Sequence, residues 1–290
     1  MAVRSAAVGL TLEPHLTEIP LRRLLAYAAG IGATQPCYLD AAVATGLVAH
    51  PAFCVTLEWP LTLALRQHLQ LQLSREEALR GVHAAQDSTF HRPIRPGDRL
   101  HTTATLVQIR AIAPGALVIA KLVTVDAATV EPVVTSYAST IYRGVAVEGT
   151  DAQCEAIPAW PAPSPASAFP HQVAIPIARE APYVYTECAQ IWNPIHTERA
   201  VALAAGLPDI ILHGTATWAL AASQLIQHCA GGEPTRLRRL AGRFAAMVMP
   251  GTTLTMQYGA LACPAHTVPY TVRTAAGAPA IDRGVAVLTP

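Results

Sequence analysis

Tyr185-Thr-Glu-Cys-Ala-Gln-Ile-Trp-Asn-Pro-Ile-His196, followed by Ile211-Leu-His213-Gly214-Thr215, is the stretch whose reading decides the fold of this chain. It sets one histidine just after Asn193-Pro194 and a second directly before a glycine. Proline fixes φ and asparagine readily caps a helix, so Asn193-Pro194 reads as a structural corner. A glycine after His213, at the head of an Ala- and Leu-rich run, suits the start of a helix that must approach a neighbour closely.

Working outward, the same landmarks occur a second time. Tyr27 lies nine positions before Pro36 in Gln35-Pro36, as Tyr185 lies nine before Pro194. Ala-rich stretches then end at Gly46-Leu47 and Gly206-Leu207, and His50-Pro51 and His213-Gly214 follow. Phe90 precedes Pro96-Gly97 by six positions, as Phe244 precedes Pro250-Gly251. Four landmarks in one order argue for a duplicated domain.

Each repeat reads as helix followed by sheet. Residues 52–71 and 213–230 suit long buried helices, the first interrupted by Pro60. The β-branched, alternating runs 100–107, 116–125 and 133–142 have the composition of an antiparallel meander with one face on a helix. The expected fold is α+β, a long central helix wrapped by a curved antiparallel sheet, twice over. Residues 151–176 are crowded with Pro, Ala and Ser and read as an extended linker. The expected organisation is therefore 1–150, a linker at 151–176, and 177–290.

Composition removes several function classes. Of 290 residues, 52% are hydrophobic and 13% charged, and the formal net charge is +1. Such a chain has a large core and no electrostatic reason to bind nucleic acid or an anionic membrane. The six cysteines are scattered without a C-x-x-C pair, so reduced thiols and no metal site are expected. No apolar run long enough to span a membrane is present, and the first residues lack the apolar run of a signal peptide. The expected location is the cytoplasm.

Tyr185…Asn193-Pro194-Ile195-His196 and Ile211-Leu212-His213-Gly214-Thr215, with the Phe244…Pro250-Gly251 turn, resemble the signature of the MaoC-like (R)-specific enoyl-CoA hydratase/dehydratase family. The first half resembles the N-terminal, non-catalytic hotdog of that family's two-domain members. The resemblance implies a double hotdog acting on an acyl-CoA or acyl-carrier-protein thioester, without a cofactor beyond the coenzyme A or phosphopantetheine of the substrate itself. It implies His196 as catalytic base and acid, the Gly214 N–H as oxyanion donor and His213 as a supporting group. A homodimer of the whole chain is a further expectation.

The family's catalytic acid stands five residues before its histidine, and here that position is Ile191. Isoleucine has no titratable or hydrogen-bonding side-chain atom. Glu187 and Glu198 are the nearest acids in sequence. Tyr185, Ile191, Trp192 and Asn193 are candidates for lining the substrate tunnel. Arg236, Arg238 and Arg243, with Arg239, form the densest basic cluster and suit phosphates; a solvated basic face is the plainer reading. The first half carries Tyr38 where the second has His196, and Ala33 where it has Ile191. Its expected role is to complete the sheet and accommodate the acyl chain.

Three functions remain open at this stage: a hydro-lyase, an isomerase or other proton-transfer enzyme suited to a site without its acid, and a non-catalytic thioester-binding partner. The two histidines also have a structural reading, His196 capping a helix and His213 bonding to backbone.

Overall fold

The computed structural model describes residues 2–43, 46–71, 73–160, 169–263 and 265–289. In the first half β1 (Ala2–Arg4) and β2 (His15–Glu18) precede the helices α1 (Leu21–Gly30), α2 (Pro36–Leu39), α3 (Cys54–Gln67) and α4 (Arg75–Leu79). Four long strands follow, β3 (Gly81–Phe90), β4 (Arg99–Ile112), β5 (Gly115–Asp126) and β6 (Pro132–Arg143), then the short β7 (Ala146–Glu148) and β8 (Ala152–Gln153). The second half repeats the plan with β9 (His171–Pro176), α5 (Ala181–Ala189), α6 (Arg199–Ala204) and α7 (Gly214–Cys229). It closes with β10 (Leu237–Phe244), β11 (Thr253–Tyr258), β12 (Thr267–Arg273) and β13 (Pro279–Leu288).

One sheet crosses both halves in the order β2-β4-β5-β6-β3-β10-β13-β12-β11-β9. The order is the same read from either end, with β2 answering β9 and β3 answering β10. The central pair has Arg239 opposite Thr89, Ala241 opposite Asp87 and Arg243 opposite Ala85. Phe90 and Phe244, like Asp87 and Ala241, are 154 positions apart. That shift carries the pair Arg239–Thr89 onto the pair Ala85–Arg243, so a local two-fold axis passes between Asp87 and Ala241. The architecture is the α+β double hotdog, with α3 and α7 as the two central helices.

Backbone bonds repeat across the halves in the same way. Ile19 N–H donates to Asp98 O at 2.9 Å and Ile19 O accepts from Gly97 N–H at 2.8 Å; Ile177 does the same with Thr252 and Gly251 at 2.8 and 2.9 Å. Ala49 N–H donates to Ile94 O at 2.8 Å, and Leu212 N–H to Val248 O at 2.9 Å. The first set pins the entries of α1 and α5, and the second the entries of the two central helices, to the turn that follows the first long strand of each half. The three expected strands lie inside β4, β5 and β6, and the two expected helices contain α3 and α7.

Pro60 sits inside α3 and cannot donate to the carbonyl of Thr56 one turn earlier. The Arg23 guanidinium of α1 donates to that carbonyl instead, at 3.3 Å. α7 is enclosed on nearly all sides, burying Ala216, Trp218, Ala219, Ala221, Ala222, Leu225 and Ile226. One hydrophobic cluster runs through both halves, joining Tyr27, Tyr38 and Phe53 to Tyr185, Trp218 and Leu240.

The linker departs from its expected form at both ends. Ala152–Gln153 pair with β4, and His171–Pro176 form β9, the outermost strand beside β11. An edge strand tolerates proline because half of its amides face outward, and Pro176 is the last residue of β9. Between these ends, Glu155 meets Lys121 and Tyr137, and the Ala159 carbonyl accepts from Arg239. Residues 161–168 of the expected linker lie outside the described residues.

Candidate active site

The expected histidines come together through two short pieces of backbone. α5 ends at Gln190, whose left-handed conformation (φ 57°, ψ 39°) turns the chain back. Ile191 N–H then donates to Thr186 O at 3.2 Å. Asn193 accepts from Ile195 N at 3.4 Å, and Pro194 opens a single 3₁₀ turn that ends on His196. The second piece is the residue before α7, where His213 takes an extended conformation (φ −59°, ψ 138°).

The rings of His196 and His213 stack, with centroids 3.6 Å apart and planes 25° from parallel. His196 Nδ1 lies 2.8 Å from the carbonyl oxygen of Ile211. A carbonyl only accepts, so Nδ1 carries the proton and Nε2 keeps a free lone pair. His213 Nε2 lies 3.3 Å from Ile191 O and 3.2 Å from Thr186 Oγ1. The same logic puts its proton on Nε2, and its Nδ1 is buried without a partner.

Burial sets the charge of both rings. It lowers the His196 pKa from 6.5 to about 4, against a smaller upward push from the Ile211 carbonyl. His213 goes well below its ordinary value, first by burial and then by the neighbouring His196. Two imidazoles in contact cannot both be charged in a dry site. Both are therefore neutral near pH 7, and His196 is in the form that accepts a proton.

Gly214 is the first residue of α7, so its N–H has no acceptor within the helix. The amide sits at the positive end of a 16-residue helix. A Cβ at Gly214 would lie 3.3 Å from the Phe244 ring. The corresponding residue of the first half is Pro51, which has no N–H at all. The first half also has Tyr38 beside His50, with ring centroids 5.4 Å apart, in place of the histidine pair.

The other expected residues divide. Tyr185 is buried with its ring 4.9 Å from His213 and 6.0 Å from Tyr27, its counterpart across the axis. Ile191 is buried in the core, and only its carbonyl serves the site, as the acceptor for His213. Asn193 spends its side chain on the corner. Trp192 is 57% exposed, and its neighbourhood in sequence does not bring it into the histidine pair. Glu187 and Glu198 are exposed, and among the described residues no carboxylate bonds either histidine.

The arginines do not form one patch. Arg236 donates to Ala230 O and Thr289 O at 3.5 and 3.2 Å, tying down the end of α7. Arg239 makes a two-pronged bond to Asp87 at 2.7 and 2.6 Å. Arg243 is engaged by Asp282. Arg238 lines a separate cleft with His50, Phe90 and Arg92, on the opposite side of the axis from the histidine pair's own Phe244. Successive residues of a strand point to opposite faces, so a basic run on β10 cannot stay together. Phe244 and Thr186 are the site residues missed in the sequence; Phe244 was visible only as a spacing landmark.

Two family models match the chain, one to each half: a FAS1-like dehydratase domain region over residues 6–135 and a MaoC like domain over residues 162–272. Enoyl-CoA hydratase ChsH3 of Mycobacterium tuberculosis is 34% identical over 85 residues, 29% of this chain and 29% of the relative. A UPF0336 protein of Streptomyces griseus is 30% identical over 119 residues, 39% of this chain and 77% of the relative. The match to the hydratase thus spans under a third of that relative's own length. A solved MaoC-like dehydratase from Phytophthora capsici superposes with a TM-score of 0.81 at 19% identity, covering 98% of this chain and 97% of that one. With both halves matched in order and the double hotdog closed as expected, the chain belongs to the MaoC-like dehydratase family.

Proposed function

We propose that this protein is a hydro-lyase of acyl thioesters, hydrating an enoyl group or dehydrating a 3-hydroxyacyl group. The observation that carries the reading is His196, its Nδ1 held by the Ile211 carbonyl and its Nε2 free, stacked on the residue just before α7. In the hydration direction a water attacks Cβ of the enoyl thioester while His196 Nε2 takes one of its protons. The charge that develops on the thioester oxygen is met by the Gly214 N–H. His196 then returns the proton to Cα, so the water's atoms are all accounted for and the enzyme ends as it began. His213, anchored through Ile191 O, holds the His196 ring by contact.

Asparagine at His196 keeps a polar side chain and removes the base. Turnover of crotonyl-CoA should fall by about 10²–10⁴-fold while the melting temperature stays close to that of the parent. Unchanged turnover in a folded His196→Asn protein would sink the assignment.

Ile191 and the exposure of Glu187 and Glu198 favour a second reading, proton transfer without water. A site with one base and no acid moves a proton between carbons of a thioester, as an isomerase does. Crotonyl-CoA hydration compared with isomer formation in deuterated water separates the two. Binding of thioester with neither outcome would instead support a partner role for another hotdog protein.

A further inference from the structure

The half that lacks the histidine pair has a polar cluster in its core that nothing yet described uses. Glu58 of α3, Gln86 and Ser88 of β3 and Ser136 of β6 are all at most 4% exposed. Glu58 accepts one hydrogen bond from Ser136 and another from Gln86 Nε2 at 3.0 Å. The second hydrogen of that amide goes to Ser88 Oγ at 2.9 Å. Gln86 Oε1 is left to accept, and His83 Nε2 lies 3.1 Å from it, so this nitrogen carries the ring's proton. Burying a carboxylate is costly, and here its donors only offset the cost.

The matching places of the second half are apolar. The residues 154 positions on from His83, Gln86 and Ser88 are Leu237, Leu240 and Gly242; Ala221 stands seven after Gly214 as Glu58 stands seven after Pro51. The backbone agrees, because the register slips between His83 and Ala85 in β3 and between Leu237 and Arg239 in β10. Such a bulge re-aims the side chains beside it. Leu237 lines a cleft with Phe90 and Pro51. His83 meets Phe244, the counterpart of Phe90, with ring centroids 4.8 Å apart. Phe244 in turn packs on Gly214, the counterpart of Pro51. Each half thus lends one bulge residue toward the other's helix entry, and the one lent to the histidine pair's half is tied down by hydrogen bonds.

We propose that His83 is a positioning residue: tethered through Gln86 to Glu58, it fixes the Phe244 ring against Gly214 and so the approach of a thioester oxygen to that amide. This rests on the thioester reading above for what approaches, and on the contacts of His83, Phe244 and Gly214 for what is fixed. An oxyanion donor works only within hydrogen-bond reach of the charge it meets, and a misplacement of about 1 Å can cost about a hundredfold in rate.

The double variant Glu58→Ala, Gln86→Leu tests it. The change installs the second half's own residues and cuts the tether, yet leaves His83 and Phe244 in place. Two readings are taken on the full chain: steady-state hydration of crotonyl-CoA, and the fluorine spectrum of protein labelled with 4-fluorophenylalanine. The chain has four phenylalanines, and Phe244→Leu identifies the line of Phe244. In the folded double variant kcat should fall about tenfold or more with KM within about twofold of the parent, and the Phe244 line should shift or broaden. A parental kcat, whatever the melting temperature, overturns the proposal, as does a lowered kcat with the Phe244 line unmoved. If the double variant does not fold, His83→Leu replaces it, with His83→Gln as the conservative partner that keeps a donor for Gln86. Leucine should then lower kcat and glutamine restore most of it; equal kcat in the two overturns the proposal. If the parent hydrates no thioester, the hydro-lyase reading fails and the Phe244 line alone decides. A line that moves when the tether is cut upholds the positioning of Phe244, and an unmoved one overturns it.

Discussion

At the scale of single residues, the two halves differ where chemistry would be done. Gly214 and Pro51 occupy matching places, each after a histidine with the same backbone angles: φ −59° for both, ψ 138° for His213 and 136° for His50. An extended residue is what a following proline requires, and proline is well accepted as the first residue of a helix. Gly214→Pro should therefore fold and lose the proposed oxyanion donor, lowering kcat by about 10²–10³-fold. Gly214→Ala is the steric control, because it meets the same Phe244 ring and keeps the N–H. Equal loss in both variants would mean that space, not the amide, is what Gly214 supplies. The buried histidines also predict how the protein responds to acid. Burial lowers His50 to about 3 and His83 and His196 to about 4, all from 6.5. Between pH 6.5 and about 4 the unfolded chain binds more protons than the folded one. This contribution to stability is complete above pH 6.5 and is lost as the pH falls, at about 1.4 kcal/mol per unit of depression. Glu58, raised by burial, acts in the opposite sense above 4.5. The melting temperature should thus fall below pH 6.5, while kcat/KM on crotonyl-CoA should keep a flat profile until near pH 4. A limb at 6.5 in that profile would contradict a neutral, buried base.

At the scale of elements, α1 and α5 cross at the axis with almost nothing between them. A Cβ on Gly30 would lie 2.5 Å from the Cβ of Cys188, so Gly30→Ala should cost about 1–3 kcal/mol. Denaturant unfolding measures the loss, and the double variant with Cys188→Gly should recover part of it. The equivalence of Tyr27 and Tyr185 was legible as equal spacing in the two halves, but their meeting across the axis, with ring centroids 6.0 Å apart, is seen only in the fold. β3 was not legible. Its run Gly81-Val-His-Ala-Ala-Gln-Asp-Ser-Thr-Phe90 buries Gln86 and Ser88, which bond to each other at 2.9 Å, so the usual alternation of apolar and polar residues is missing. β9 was hidden by the prolines around it. The basic cluster misled for a related reason: nearness in sequence on a strand is not nearness in space. The two histidines were legible because a proline corner and a helix start are local, whereas Phe244 and His83 meet only through the long-range pairing of β3 with β10.

At the scale of the whole molecule, the sheet is continuous because β3 and β10 join the halves, and the Asp87–Arg239 bond lies at that seam. The Asp87 side chain is 7% exposed. Removing its partner leaves a buried charge, so Arg239→Met should cost about 3–5 kcal/mol. Calorimetry should show both halves melting together in the parent; if the variant melts at the parent's temperature, the seam depends on the backbone ladder alone. The described helices include none long and apolar enough to cross a membrane.

The palindromic strand order has one more consequence. In an assembly of two identical chains, every substitution appears on both sides of the axis, and dilution can separate the partners. Here the two sides share one backbone, so each meets the other at a fixed effective concentration, whatever the protein concentration. A change on one side is no longer copied to the other. Proline could then stand at 51 opposite glycine at 214, and tyrosine at 38 opposite histidine at 196. Fusion thus lets the two halves diverge at matching positions while the shared sheet keeps them in register.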